Sequence, residues 1–156
     1  EGLDRIGSTQ DVARTVEALV AEHGADGVFW RPDGFLTVHV GGNGRNGTAL
    51  GAELALAVRE RVEGVAVGVH AGPVVGGVLG EARPRFEIWG EAVESAEALA
   101  GHAAAGTVLV TPAVRSALGD AFGTAARGVK EIRGRGQMRV YSLLTRGESE
   151  TRAPAG

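Results

Sequence analysis

The stretch Gly68–Leu99, GVHAGPVVGGVLGEARPRFEIWGEAVESAEAL, decides how the rest of the chain reads. An apolar run leads into it, Val65-Ala66-Val67-Gly68-Val69-His70, and its β-branched residues predict a strand. Gly72, Gly76, Gly77 and Gly80 then predict a glycine-rich turn. Arg85-Phe86-Glu87-Ile88-Trp89 reads as a second short strand, and a helix opens after Gly90. Ala92, Val93, Ala96 and Leu99 recur at helical spacing as its dry side, which assigns Glu91, Glu94 and Glu97 to its wet side.

Upstream, Glu1-Gly2-Leu3 reads as the end of a strand, most of which would precede the sequence. Asp4 to Thr9 reads as a turn. Ser8 with Asp11 three residues on fits a capping pair. Val12, Val16, Leu19 and Val20 predict a helix over about 9–23, stopped by Gly24. Gly27-Val28-Phe29-Trp30 and Phe35 to Val40 read as strands joined by a hairpin at Pro32-Asp33-Gly34. Gly41 to Gly47 is a glycine-rich loop, and Leu50, Leu54, Ala57 and Val58 predict a helix over about 48–62.

Downstream, Val108-Leu109-Val110 is a short strand, and Thr111-Pro112 caps a helix that runs to about Leu118. Two strands, near 123–132 and 138–144, meet at Gly134-Arg135-Gly136. The domain is expected over 1–145, with a disordered tail over 146–156. The order βαββαβ plus additional strands predicts an α+β fold with a ferredoxin-like core, an antiparallel sheet covered by helices on one face.

Composition narrows the function. The chain has 156 residues, enough for one domain with a real core. Its net charge of -3 gives no basic field for nucleic acid or an anionic membrane. No apolar run spans a bilayer and no signal peptide pattern opens the sequence, so a cytoplasmic domain is expected, with no membrane insertion of its own. The absence of cysteine removes disulfide and thiolate chemistry. Richness in Ala, Gly, Arg and Val suggests a GC-rich bacterial source.

The central stretch resembles the class III nucleotidyl cyclase catalytic domain, the adenylate and guanylate cyclase family. That family carries roughly G-I-H-x-G-x-V-x-x-G-x-x-G, then R-P-x-[YF]-D-x-W-G, then a helix with an Asn and an Arg. Gly68 to Gly80 and Arg83 to Gly90 follow the first two parts almost residue for residue. The resemblance implies the same α+β fold. It also implies a head-to-tail dimer, in which one chain supplies metal carboxylates and the other supplies base-reading and transition-state residues.

Carried over residue by residue, the resemblance makes Asp4, in Asp4-Arg5-Ile6-Gly7-Ser8-Thr9, the first metal ligand. Asp33, in Arg31-Pro32-Asp33-Gly34-Phe35, becomes the second. Two carboxylates suit Mg²⁺ or Mn²⁺, and a nucleoside triphosphate is the ligand such a site would take. A turn Asp and a hairpin Asp are also common without any metal. The family's base-reading Lys falls at Phe29, which cannot donate a hydrogen bond, and its partner Asp falls at Glu87. Glu87 could accept from an exocyclic amine or be a solvated strand residue, and the transition-state Asn and Arg fall at Glu94 and Ala98. Ala98 offers no charge, and Glu94 would repel a polyphosphate. The phosphate-binding G-K-G near the last strand becomes Gly134-Arg135-Gly136, with Arg135 for Lys, and a hairpin Arg with no ligand is an equal reading.

Three functions fit these residues. One is a catalytically degenerate cyclase-homology domain, a pseudoenzyme kept for dimerisation or regulation in cyclic-nucleotide signalling. Another is an active nucleotidyl cyclase, most plausible as the metal-bearing half of a heterodimer. The third is a sensor with a small-molecule ligand in the remodelled pocket. A homodimer is expected to turn over nucleotide negligibly.

Overall fold

The structure, a computed structural model, describes residues 2–31, 34, 36–41, 46–145 and 148, with backbone alone for 2–8 and 30. Helix α1 (Gly2–His23) leads into a β-hairpin of β1 (Gly27–Trp30) and β2 (Leu36–His39). Helix α2 (Gly47–Arg61) precedes β3 (Val67–Val69). A second hairpin follows, β4 (Val75–Leu79) with β5 (Arg85–Trp89), and then helix α3 (Glu91–His102). Strand β6 (Val108–Val110) and helix α4 (Pro112–Leu118) lead to the long pair β7 (Gly123–Ile132) and β8 (Gly136–Leu144).

The α+β architecture holds, and its details refine the expectation. The four-stranded sheet has the order β3-β6-β8-β7, in which β6–β8 and β7–β8 are antiparallel. The β3–β6 pair is parallel, with Val67 opposite Val108 and Val69 opposite Val110. A parallel pair needs a crossover, and the β4–β5 hairpin with α3 supplies it. The helices also cover both faces of this sheet. Val67, Val69, Val108 and Val110 pack with Ala52 and Ala55 of α2 and Val114 and Leu118 of α4. Alternation sends Gly68 and Leu109 to the other face. There Leu109 packs with Leu99 of α3, Ile132 and Val140.

Gly68 explains how closely α3 sits. A Cβ at this position would overlap the Ala96 carbonyl oxygen and lie 2.5 Å from the Ala100 nitrogen. The helix backbone therefore rests on the strand backbone, which only glycine allows. A third cluster joins Val16, Leu19 and Val20 of α1 to Leu54 and Val58 of α2, against Val28, Leu36 and Val38 of the first hairpin.

Two local expectations are corrected. Residues 4–9, read as a turn after a strand, lie inside α1, so Ser8 does not cap it. Nothing in this segment forces the chain out of a helix, since Gly7 costs only about 1 kcal/mol there. The glycine-rich stretch read as a turn contains strand β4, paired from Val75↔Trp89 to Leu79↔Arg85. The Phe86 ring lies over Gly76 and the Trp89 ring over Gly77, supplying the packing that strand glycines lack.

Other expectations match closely. Strand β6, helix α4 and strand β7 have the expected bounds. The Thr111 hydroxyl accepts from the Val114 N–H at 3.5 Å, with Pro112 opening the helix. The tail expected over 146–156 lies outside the described residues, apart from Glu148. That residue is fixed: its carboxylate accepts from the Thr145 N–H at 2.6 Å and from Arg59 of α2 at 3.0 Å.

Candidate functional site

The nucleotide-site residues named from sequence fall on β1 (Phe29), β5 (Glu87), α3 (Glu94 and Ala98) and the turn between β7 and β8 (Arg135). Phe29, in β1, faces β5, and its ring centroid is 6.0 Å from that of Phe86 at a tilt of 44°. Glu87 follows Phe86 along β5, opposite Gly77, and forms an ion pair with Arg85. Neighbouring residues on a strand point to opposite faces. Phe29 is therefore engaged on the Phe86 side of β5, while Glu87 belongs to the other side.

Helix α3 starts without a capping side chain. Its N-cap is Gly90, at φ 125°, a conformation that glycine adopts readily. Glu91 and Glu94 lie in the first turn, where carboxylates compensate the exposed N–H groups and the positive end of the helix dipole. Both are exposed to solvent. Ala98 lies against the cluster of Leu99, Leu109, Ile132 and Val140. Glu97 does not lie on the wet side as expected. Its side chain is 18% exposed and pairs with Arg31, at the end of β1, at 2.8 Å. The partner comes from 66 positions earlier in the chain, so no helical pattern reveals it.

Arg135 reaches the same end of α3. It sits in the turn between β7 and β8, between Gly134 at φ 80° and Gly136 at φ 70°. Its N–H bonds to the Ile132 carbonyl at 2.9 Å. The guanidinium Nη2 lies 3.2 Å from Glu91 Oε1. The structure thus joins Arg135 to α3, which the sequence did not indicate.

His70 completes the cluster. It follows β3, and its Nδ1 lies 3.0 Å from the Thr111 hydroxyl at the end of β6. Its Nε2 is enclosed, with no hydrogen-bond partner among the described residues. A Cβ on Gly72 would lie 3.4 Å from that nitrogen and 3.2 Å from Ala92 Cβ. Burial lowers the His70 pKa from its ordinary value, nearby Arg135 lowers it further, and Glu91 acts in the opposite direction. The residues missed from sequence are therefore His70, Thr111 and the Glu91 contact. Thr111 gave a signal only through the Thr111-Pro112 cap, which pointed to structure, and His70 only through the Gly68-to-Gly80 motif, which assigned it no role.

The metal pair is not assembled by the described residues. Asp4 lies in the first turns of α1 and not at a strand end, and only its backbone is described. Asp33 lies outside the described residues. Among the described residues no three acidic or imidazole side chains gather to hold a metal ion. Two carboxylates would suit a hard divalent cation chemically. No helix among the described residues is long and apolar enough to cross a membrane.

Known proteins share both the sequence and the architecture. The adenylate and guanylate cyclase catalytic domain model matches residues 49–145. The guanylate cyclase soluble subunit beta-2 of Rattus norvegicus is 35% identical over 81 residues, which is 51% of this chain and 12% of that protein. The chain therefore spans only a small part of the curated relative it matches. Among solved structures, the guanylate cyclase domain of RhGC from Catenaria anguillulae, in complex with GTP, aligns with a TM-score of 0.77. It is 20% identical, and the alignment covers 93% of this chain and 86% of that one. A dimeric guanylyl cyclase domain of the RhoGC fusion protein from Blastocladiella emersonii aligns at 0.72, with 19% identity, over 92% of this chain and 85% of that one. At such identities the structural likeness is one of fold. Since the family match covers more than half of the sequence, the chain belongs to the adenylate and guanylate cyclase catalytic domain family.

Proposed function

We propose that this cyclase domain works by pairing with another cyclase-type domain, as a homodimer or heterodimer, and has given up most of its own nucleotide chemistry. The observation that carries this reading is the make-up of α3. Glu94 is exposed in its first turn and Ala98 is half-buried against the core, so the helix offers a phosphate ligand no cation from either position. A carboxylate about 4 Å from a phosphate oxygen costs roughly 1 kcal/mol in water and about 4 kcal/mol at an effective dielectric of 20. Loss of preorganised positive charge removes what is often the largest catalytic contribution. Phe29 against Phe86 fills with carbon the place where a hydrogen-bonding side chain would read a base.

The β4–β5 hairpin supports the pairing role. Val75, Val78, Leu79, Phe86 and Trp89 are all exposed, Val78 at 66%. Such a concentration of apolar surface on one ribbon marks an interaction site. A second cyclase-type domain is the partner we assign to it, as the match to a dimeric fold relative suggests.

Asp4 and Asp33 remain the carboxylates proposed to hold Mg²⁺ or Mn²⁺. When bound, the metal would neutralise charge on a nucleoside triphosphate. The domain would then act in cyclic-nucleotide-type signalling through its partner.

The test is turnover of ATP, GTP, CTP and UTP with Mn²⁺, read as cyclic product by mass spectrometry. We expect none from the unmodified chain and measurable product from Glu94→Asn/Ala98→Arg. Product from the unmodified chain that Asp33→Ala abolishes would overturn the proposal. Activity only after mixing with a complementary cyclase half would make the chain the metal-bearing member of a heterodimer.

A further inference from the structure

We propose that Glu91 is a resident counter-anion for Arg135, occupying the guanidinium in place of a phosphate, so that phosphate ligands reach Arg135 only by displacing it. This rests on Arg135 being the phosphate-binding residue of the site and concerns how that residue is controlled. The contact is a direct one, 3.2 Å from Nη2 to Oε1. Its two halves are unequally held. The Arg135 side chain is 28% exposed, on a turn fixed by positive-φ glycines, whereas Glu91 is 69% exposed. The carboxylate can therefore swing into water while the guanidinium stays in place.

Glu94, three residues on and in the same first turn, repels Glu91. Once displaced, Glu91 still lies beside any anion bound there. The pair therefore opposes a polyphosphate twice, by competing for the cation and by adding negative charge next to the ligand. Exposed ion pairs are weak, so displacement is easy and ionic strength controls it.

His70 provides an internal reporter. Its half-buried imidazole feels Arg135 from the β7–β8 turn and Glu91 from α3, with opposite signs, while the Thr111 hydroxyl holds its other nitrogen. Removing either charge must move its titration in a known direction.

The experiment uses the full chain and inorganic tripolyphosphate at low salt, measured by calorimetry, with the His70 titration followed by NMR. Glu91→Gln is expected to tighten binding about two- to fivefold, the range set by an exposed ion pair, with the gain shrinking as salt is added. Arg135→Gln is expected to abolish binding, and Glu91→Gln should not rescue it. His70 should titrate lower in Glu91→Gln and higher in Arg135→Gln. If Arg135→Gln loses binding but Glu91→Gln does not tighten it, Arg135 remains the phosphate residue and the counter-anion role falls. If Glu91→Asp, which keeps the charge but shortens the reach to Arg135, fails to tighten binding while Glu91→Gln does, general charge explains the gain and the specific pair is overturned. If no form binds, the phosphate reading of Arg135 fails and takes this proposal with it. If neither variant moves His70, the cluster geometry is wrong and the proposal falls.

Discussion

Gly68 in β3 and Gly76 with Gly77 in β4 are all strand glycines, and each makes room for something bulky. At Gly68 the bulk is the backbone of α3, and the contact closes into a core where Leu99, Leu109, Ile132 and Val140 are almost wholly buried. At Gly76 and Gly77 the bulk is the rings of Phe86 and Trp89, and those rings stay exposed, at 55% and 40%. The same device produces a self-sufficient sheet in one place and an incomplete ribbon in the other. A glycine gap filled by backbone completes the fold. A gap filled by an exposed ring leaves apolar surface in water.

The largest effect that would break this contrast is at Gly68. Gly68→Val should destabilise the domain by about 3 kcal/mol or more, because the clash is with helix backbone and not a movable side chain. Denaturant unfolding checks this, and a loss below about 1 kcal/mol would mean that α3 can move away from the sheet. Next comes Thr111→Ala, which removes the α4 cap and the hydroxyl on His70. A loss of about 1 kcal/mol is expected, again by denaturant midpoint. The hairpin should behave in the opposite way. Val78→Asp, at a position 66% exposed, should change monomer stability by no more than about 0.5 kcal/mol, as for surface positions. It should abolish association in sedimentation equilibrium. Unchanged self-association would place the interface elsewhere.

The smallest effect is on pH dependence. His70 has its pKa lowered, chiefly by burial and then by Arg135, so the unfolded chain binds the proton more readily than the folded one. Its contribution is complete above the ordinary value of 6.5 and is lost as pH falls through the lower folded value. Glu148 acts in a more acidic window. Burial alone would raise its pKa, but the Thr145 and Arg59 hydrogen bonds and the Arg59 charge outweigh this and lower it. That contribution is present above 4.5 and is lost on further acidification. Midpoints measured across pH should show both steps, with the first missing in His70→Gln and the second in Glu148→Gln.

Much of the fold was legible because local chemistry and tertiary structure agree. Thr111-Pro112 starts a helix both in isolation and in place, and Arg85 to Trp89 is a strand in both. Val108-Leu109-Val110 carried a further message, since three apolar residues without alternation mean cover on both faces. The reading of helices on one face overlooked it. Strand β4 was hidden because its glycines resemble a turn until Phe86 and Trp89 are seen above them. Asp4 to Thr9 was assigned to a turn because the Ser8 and Asp11 pair looked like a cap opening a helix near residue 9, although the segment is compatible with a helix. The site was less legible than the fold. Phe29, Glu94 and Ala98 could be placed by motif spacing. The partners that determine what the remaining charges do, Glu91 for Arg135 and Arg31 for Glu97, come from distant parts of the chain.

The parallel β3–β6 pair has a kinetic consequence. Val67 and Val108 are 41 positions apart, so closing that pair requires a long loop to be ordered before its contacts repay the entropy. The hairpin lies inside this loop, and its Leu79–Arg85 pair spans only six positions. Hairpins form in microseconds, well before such a crossover closes. The chain therefore assembles its apolar ribbon while the sheet that will carry it is still open. During synthesis, that ribbon is formed and solvent-exposed before the sheet beneath it closes.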